Sequence, residues 1–115
     1  MKYVMLIHHG GEGPAAPERL SKEEQAEMAR GYQEINRTPG VTPGVWMQPP
    51  ETATTVRVED GRTLTTDGPF VAVKEALGGY CIFEADDLDA AIDLASRIPA
   101  ARMGGAVEVR PIAEH

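Results

Sequence analysis

The chain has 115 residues, enough for one domain with a real core and no covalent staples. Its 18 acidic and 11 basic residues leave a formal charge of −7, which repels phosphate backbones and anionic membrane surfaces, so neither nucleic acid nor a membrane is an expected partner. Cys81 is the sole cysteine, which excludes an internal disulfide and a cysteine-based zinc site.

Met1-Lys2 leads straight into a strand pattern rather than a signal peptide, and no run approaches the roughly 20 apolar residues of a membrane span, so a cytoplasmic location is expected. Tyr3-Val4-Met5-Leu6-Ile7 is a continuous apolar run ending in His8-His9-Gly10-Gly11, the pattern of a central strand covered on both faces. Residues 10–17 are rich in Gly, Pro and Ala and read as a loop. Ser21 with Glu24 is a capping-box signature that opens a helix. Met28, Tyr32 and Ile35 form its buried stripe, Glu23, Glu27, Arg30, Glu34 and Arg37 face water, and Pro39-Gly40 lies past its end.

Val41 to Gln48 is a second strand closed by Pro49-Pro50, and Thr52 to Val58, dominated by β-branched residues, a third. Asp60-Gly61 between two Thr/Val-rich runs signals a hairpin, with Arg62 to Thr66 as the returning strand. Tyr80 to Glu84 is another central strand, holding Cys81 as a buried thiol. Asp86 or Asp87 caps a second helix with Leu88, Ala91, Ile92, Ala95 and Ile98 as its apolar stripe, Asp87 and Asp89 at the positive end of its dipole, and Pro99 as its stop. Gly104-Gly105 turns the chain into a last strand, Ala106 to Arg110.

The segment between the hairpin and the strand at Tyr80 is the most distinctive. Asp67 can close an Asx-type turn, Gly68 permits a backbone conformation that a side chain would forbid, and Pro69 forces the chain to turn before Phe70, which is expected to plug the edge of the core. Gly78-Gly79 lets another group approach the backbone just ahead of the strand. The Asp67-Gly68-Pro69-Phe70 tetrad, Lys74-Glu75 after it, and Leu77-Gly78-Gly79 leading into an apolar strand followed by an acidic helix resemble the DGPF branch of the YCII-related proteins. The resemblance runs from Met1-Lys2-Tyr3 to Val107-Glu108-Val109-Arg110-Pro111, so residues 1–115 are expected to form a single YCII-related domain.

The order of elements is that of an α+β, ferredoxin-like βαββαβ plan with an inserted hairpin, its two helices on one face of an antiparallel sheet. The runs at Tyr3–Ile7 and Tyr80–Phe83 are apolar on both faces, so the second face calls for a cover, and a second copy of the chain is the economical one. The resemblance implies the same homodimer, of the dimeric α/β-barrel type.

Two function classes follow. The resemblance implies a small-molecule-binding or regulatory homodimer, with a sigma factor as a possible protein partner. The other class is a small lyase or isomerase, similar to a dehydrochlorinase of the family, working through a His–Asp acid/base pair on a small polar organic molecule. Imidazole titrates near neutral pH and a carboxylate can orient it, so His8 or His9 with Asp67 is the candidate catalytic pair. Relatives carry the dyad histidine near the start of the first helix, where Ala15 to Arg30 has none, and the acidic residue that many DGPF proteins place two positions after Phe is Ala72 here. Successive strand residues face opposite ways, so only one of His8 and His9 can line a given pocket. Candidate ligand-binding residues are Arg57, Gly68, Pro69, Phe70, Lys74 and Tyr80, with Trp46 and Tyr80 able to form an aromatic wall. Arg57 and Lys74 can equally face water. No cofactor and no metal are expected. His8, His9 and the terminal His115 make no ligand cluster, and Gly10-Gly11-Glu12-Gly13 meets Pro14 and Pro17 where a phosphate loop needs a helix.

Overall fold

A computed structural model describes residues 1–10, 20–69 and 75–114. The elements in order are β1 (Lys2–Gly10), α1 (Lys22–Arg37), β2 (Val41–Trp46), β3 (Thr54–Glu59), β4 (Arg62–Asp67), β5 (Glu75–Glu84), α2 (Leu88–Arg97), α3 (Pro99–Arg102) and β6 (Ala106–Pro111). Strands β2-β5-β1-β6 form an antiparallel four-stranded sheet in that order, and β3-β4 form a separate hairpin. The expected central positions of the first strand and of the strand through Tyr80 are observed, and the order is that of a ferredoxin-like sheet with a hairpin inserted between β2 and β5.

The core lies between this sheet and the helices. Tyr3, Met5 and Ile7 of β1 and Cys81 of β5 meet Ile35 of α1, Ala91, Leu94 and Ala95 of α2, Ile98, and Ala100 of α3. α1 starts where expected: the Ser21 hydroxyl accepts from the Glu24 N–H at 3.1 Å, and the Glu24 carboxylate accepts from the Ser21 N–H at 3.1 Å. Asp87, rather than Asp86, caps α2 through the Ala90 N–H at 2.8 Å. Gly31 lets α1 approach α3 closely, since a β-carbon there would lie 2.7 Å from Pro99 Cγ.

Several sequence expectations need correction. The apolar stripe of α2 is Ala91, Leu94, Ala95 and Ile98, whereas Leu88 and Ile92 are each 50% exposed. They sit a turn apart on the flank of a short helix that the sheet does not reach. Pro99 ends α2 but also opens α3 at its first position, where its missing N–H costs nothing. Among the described residues three α-helices therefore stand where two were expected. A 3-10 turn, Pro50–Thr52, replaces the start expected for the third strand. Gly78 and Gly79 lie inside β5, not before it.

None of the described helices covers the other face of the sheet. Val4 pairs with Ile82 and Leu6 with Tyr80 across β1 and β5, and all four are partly buried. Among the described elements the hairpin makes extensive contacts only within itself, and along its two strands Thr55 alone is partly buried. Its geometry is nevertheless well defined: Asp60 and Gly61 take positive φ of 50° and 76° in the turn, and the Thr55 hydroxyl donates to Gly68 O at 2.7 Å at the base. The radius of gyration, 15.9 Å, exceeds the about 13 Å of a compact chain of this length.

Candidate functional site

Along β1 the odd residues Tyr3, Met5 and Ile7 face the helices, and His9 continues that row, while Val4, Leu6 and His8 lie on the opposite face. The pairing breaks beside the histidines. Ile7 faces Gly79 and His8 faces Leu77, which leaves Gly78 as an extra residue in β5. On the other side of β5, Pro43 faces Cys81 and Trp46 faces Gly79, which leaves an extra residue in β2. Two bulges thus flank the Gly78-Gly79 pair, and bulges re-aim side chains.

The space above the two glycines is filled by rings. A β-carbon on Gly78 would collide with the His9 imidazole, and one on Gly79 would lie 2.6 Å from Trp46 Cε3. His9 and Trp46 have ring centroids 5.9 Å apart at 34°, and the Tyr32 ring of α1 meets Trp46 edge-on at 4.6 Å and 78°. The expectation that Gly78-Gly79 admits close approach is met, and the groups that approach are His9 and Trp46. Tyr32 had been read only as part of the helix stripe. The one sequence signal for this cluster is the glycine pair itself, since small residues facing a strand that ends in His invite a ring.

Burial holds the His9 imidazole below the usual histidine range, with the neighbouring His8 charge a smaller cause in the same direction. His9 is therefore a neutral imidazole at pH 7. Among the described residues the buried Tyr32 hydroxyl has no hydrogen-bond partner. Burial pushes its pKa up to about 12; the Ala100 backbone is close enough to oppose that rise, but not placed for a formed hydrogen bond. Cys81, beneath the cluster, is a buried free thiol pushed up to about 11 by burial, a poor nucleophile. The crevice between Tyr32, Pro43, Gly44, Trp46, Tyr80 and Cys81 measures about 20 Å³, room for about one water. The outer side of Trp46 is open, the residue being 53% exposed. A larger groove of about 220 Å³ between Glu24, Glu27, Met28, Pro99, Arg102 and Met103 shares no residue with the aromatic cluster.

The remaining candidates are scattered. His8 lies opposite Leu77 and Ala106. Asp67 ends β4 opposite Thr54 and is exposed, and among the described residues no hydrogen bond or ion pair joins it to either histidine. Gly68 takes the positive φ expected of it, 101°, and Pro69 follows, exposed. Arg57 is on the hairpin face that carries Leu64. Tyr80 is on the sheet face opposite the helices, its ring over Gly44, where a β-carbon would lie 2.7 Å from Tyr80 Cδ2. Phe70, Lys74 and His115 lie outside the described residues. Among the described residues no group of three or more His, Cys, Asp or Glu could hold a metal, and no helix is long and apolar enough to cross a membrane.

The architecture is that of a small ferredoxin-like α+β domain with a histidine among aromatic rings at one end of its central strand. Comparison with known proteins gives the family. The YCII-related domain model matches residues 1–115, and an uncharacterized protein of Rhizobium meliloti strain 1021 is 34% identical over 118 residues, covering 98% of this chain and 93% of the relative. The chain belongs to the YCII-related family.

Proposed function

We propose that this protein is a homodimer that binds a small polar organic molecule at the end of β1, with His9 and Trp46 as its contact residues. The observation that carries the reading is His9 itself, a half-buried neutral imidazole laid against the Gly78 backbone and the Trp46 ring. A neutral imidazole offers one donor and one acceptor, and the exposed side of Trp46 offers an apolar wall. Pairing through the sheet face opposite the helices is supported by its apolar Val4, Leu6, Tyr80 and Ile82, which the described helices leave uncovered. Titrating a panel of small organic acids and lactones while following the fluorescence of Trp46, the sole tryptophan, tests the ligand site. Saturable quenching by at least one class that is lost in His9→Ala is expected; no saturable response in wild-type protein overturns the reading.

The lowered proton affinity of His9 also favours one catalytic alternative, a lyase or isomerase in which His9 takes a proton from bound substrate. In that case Asp67 of the same chain acts elsewhere than as its hydrogen-bonded partner.

A further inference from the structure

Exposed large apolar side chains concentrate in two strips. Val45, Trp46, Met47 and Leu77 are 58%, 53%, 45% and 39% exposed around the end of β2 and the adjoining part of β5, and Val56 and Val58 are 58% and 66% exposed on one face of the hairpin, with Leu64, 44% exposed, on its other face. The hairpin's register places Val56 beside Thr65 and Val58 beside Thr63, so one of its faces carries a β-branched patch. Among the described elements its extensive contacts are all internal, so no described element draws this patch into the core. A two-stranded ribbon alone in water is marginally stable at best, yet this one is built on a two-residue turn and pinned at its base.

From the homodimer reading above, on which this inference rests, we propose that the β3–β4 hairpin of each subunit is an arm that crosses to the partner. There its Val56–Val58 face covers the partner's Trp46 strip and closes the outer side of the partner's His9–Trp46 site. Area supports a second copy as the occupant. Four strands spaced at about 4.8 Å, paired over about five residues at about 3.3 Å, offer roughly 300 Å² of flat face. A stable interface buries about 800 Å² per partner. An arm adds roughly 200 Å² by the same spacings, and a two-fold axis uses it twice on each subunit, once as the arm given and once as the arm received. The total comes to about 700 Å², close to what a stable pair needs. Both strips are then covered by one symmetric contact. Each binding site in this arrangement is completed by the other chain.

The arm is tested with the double variant Val56→Asp and Val58→Asp, both at exposed positions, with circular dichroism as the check on folding. Symmetry places each substitution in the contact twice, so a rise in dimer dissociation constant of at least about 100-fold is expected, together with a red shift of Trp46 emission. A second measurement bypasses the folding question. A Val58→Cys, Trp46→Phe chain labelled with a thiol-reactive quencher, the native Cys81 being buried, is mixed with wild-type chain; quenching of wild-type Trp46 is expected. A dimer whose Trp46 emission is untouched by both changes overturns the arm and leaves the sheet-face dimer standing. A wild-type monomer at high micromolar concentration overturns the dimer reading and the arm together.

Discussion

Trp46 occupies the volume that a side chain on Gly79 would need: a β-carbon there would lie 2.6 Å from Trp46 Cε3 and 2.9 Å from Cζ3. The ring is held on its other flank by Tyr32 at 4.6 Å. Gly79→Ala therefore cannot be accommodated without moving Trp46 off Tyr32. A loss of about 1–3 kcal/mol is expected from overpacking, measured by denaturant unfolding, with a concurrent change in tryptophan emission. Unchanged stability and emission would show that the ring does not rest on the strand.

Tyr32→Phe should behave differently. Among the described residues the buried hydroxyl has no partner, and an unpaired buried polar group is unfavourable by about 1–3 kcal/mol, so removing it should leave stability unchanged or raise it. The wild-type protein should also lose stability as pH climbs from about 10, where an unfolded tyrosine ionises, toward about 12, where Tyr32 does. Phe at this position removes that part of the alkaline decline. A Tyr32→Phe protein less stable than wild type at neutral pH would mean that the hydroxyl is bonded.

His9 sets an acid limit of the opposite kind. Its folded pKa lies below the unfolded value of about 6.5, so as pH falls through about 6.5 the unfolded chain takes up a proton that the folded chain refuses, and stability declines. The contribution is fully present above that pH and is lost down to the folded pKa. His9→Gln should flatten the stability profile over that window, whereas His8→Gln should not, since burial rather than charge is the larger cause. Equal flattening by both substitutions would reassign the effect.

At the α1–α3 contact two effects compete. Ala in place of Gly31 gains about 1 kcal/mol of helix propensity, but its β-carbon would lie 2.7 Å from Pro99 Cγ, a ring with no freedom to swing away. Overpacking of about 1–3 kcal/mol should prevail, so Gly31→Ala should lower the unfolding midpoint. A gain in stability would show that α3 can slide.

Local chemistry was the most legible part of this chain. Ser21 with Glu24, Asp60-Gly61 and the apolar runs through Met5 and Cys81 each carry a signal within a few residues, and each element formed there. The α2 stripe was misjudged because Leu88 and Ile92 have the right period, and only the position of the sheet decides that Leu94 is the buried side. The site was half legible. Gly78-Gly79 announced a close approach, but that His9 and Trp46 come from strands on either side of β5 is fixed by two bulges, which no spacing in a single strand encodes. Asp67 looked like a partner for histidine because the sequence cannot show that it ends an arm standing apart from the main sheet.

The four-stranded sheet is bordered by β2 and β6, and each border strand contains a proline, Pro43 and Pro111. Proline lacks the N–H that a neighbouring strand would require and is confined to such edges. Lateral growth into a ribbon of stacked chains is thereby interrupted on both flanks, although the interior strands are as apolar as those of many fibril-forming segments. In the proposed homodimer the two copies would accordingly meet face to face, a contact that closes after one partner, rather than edge to edge.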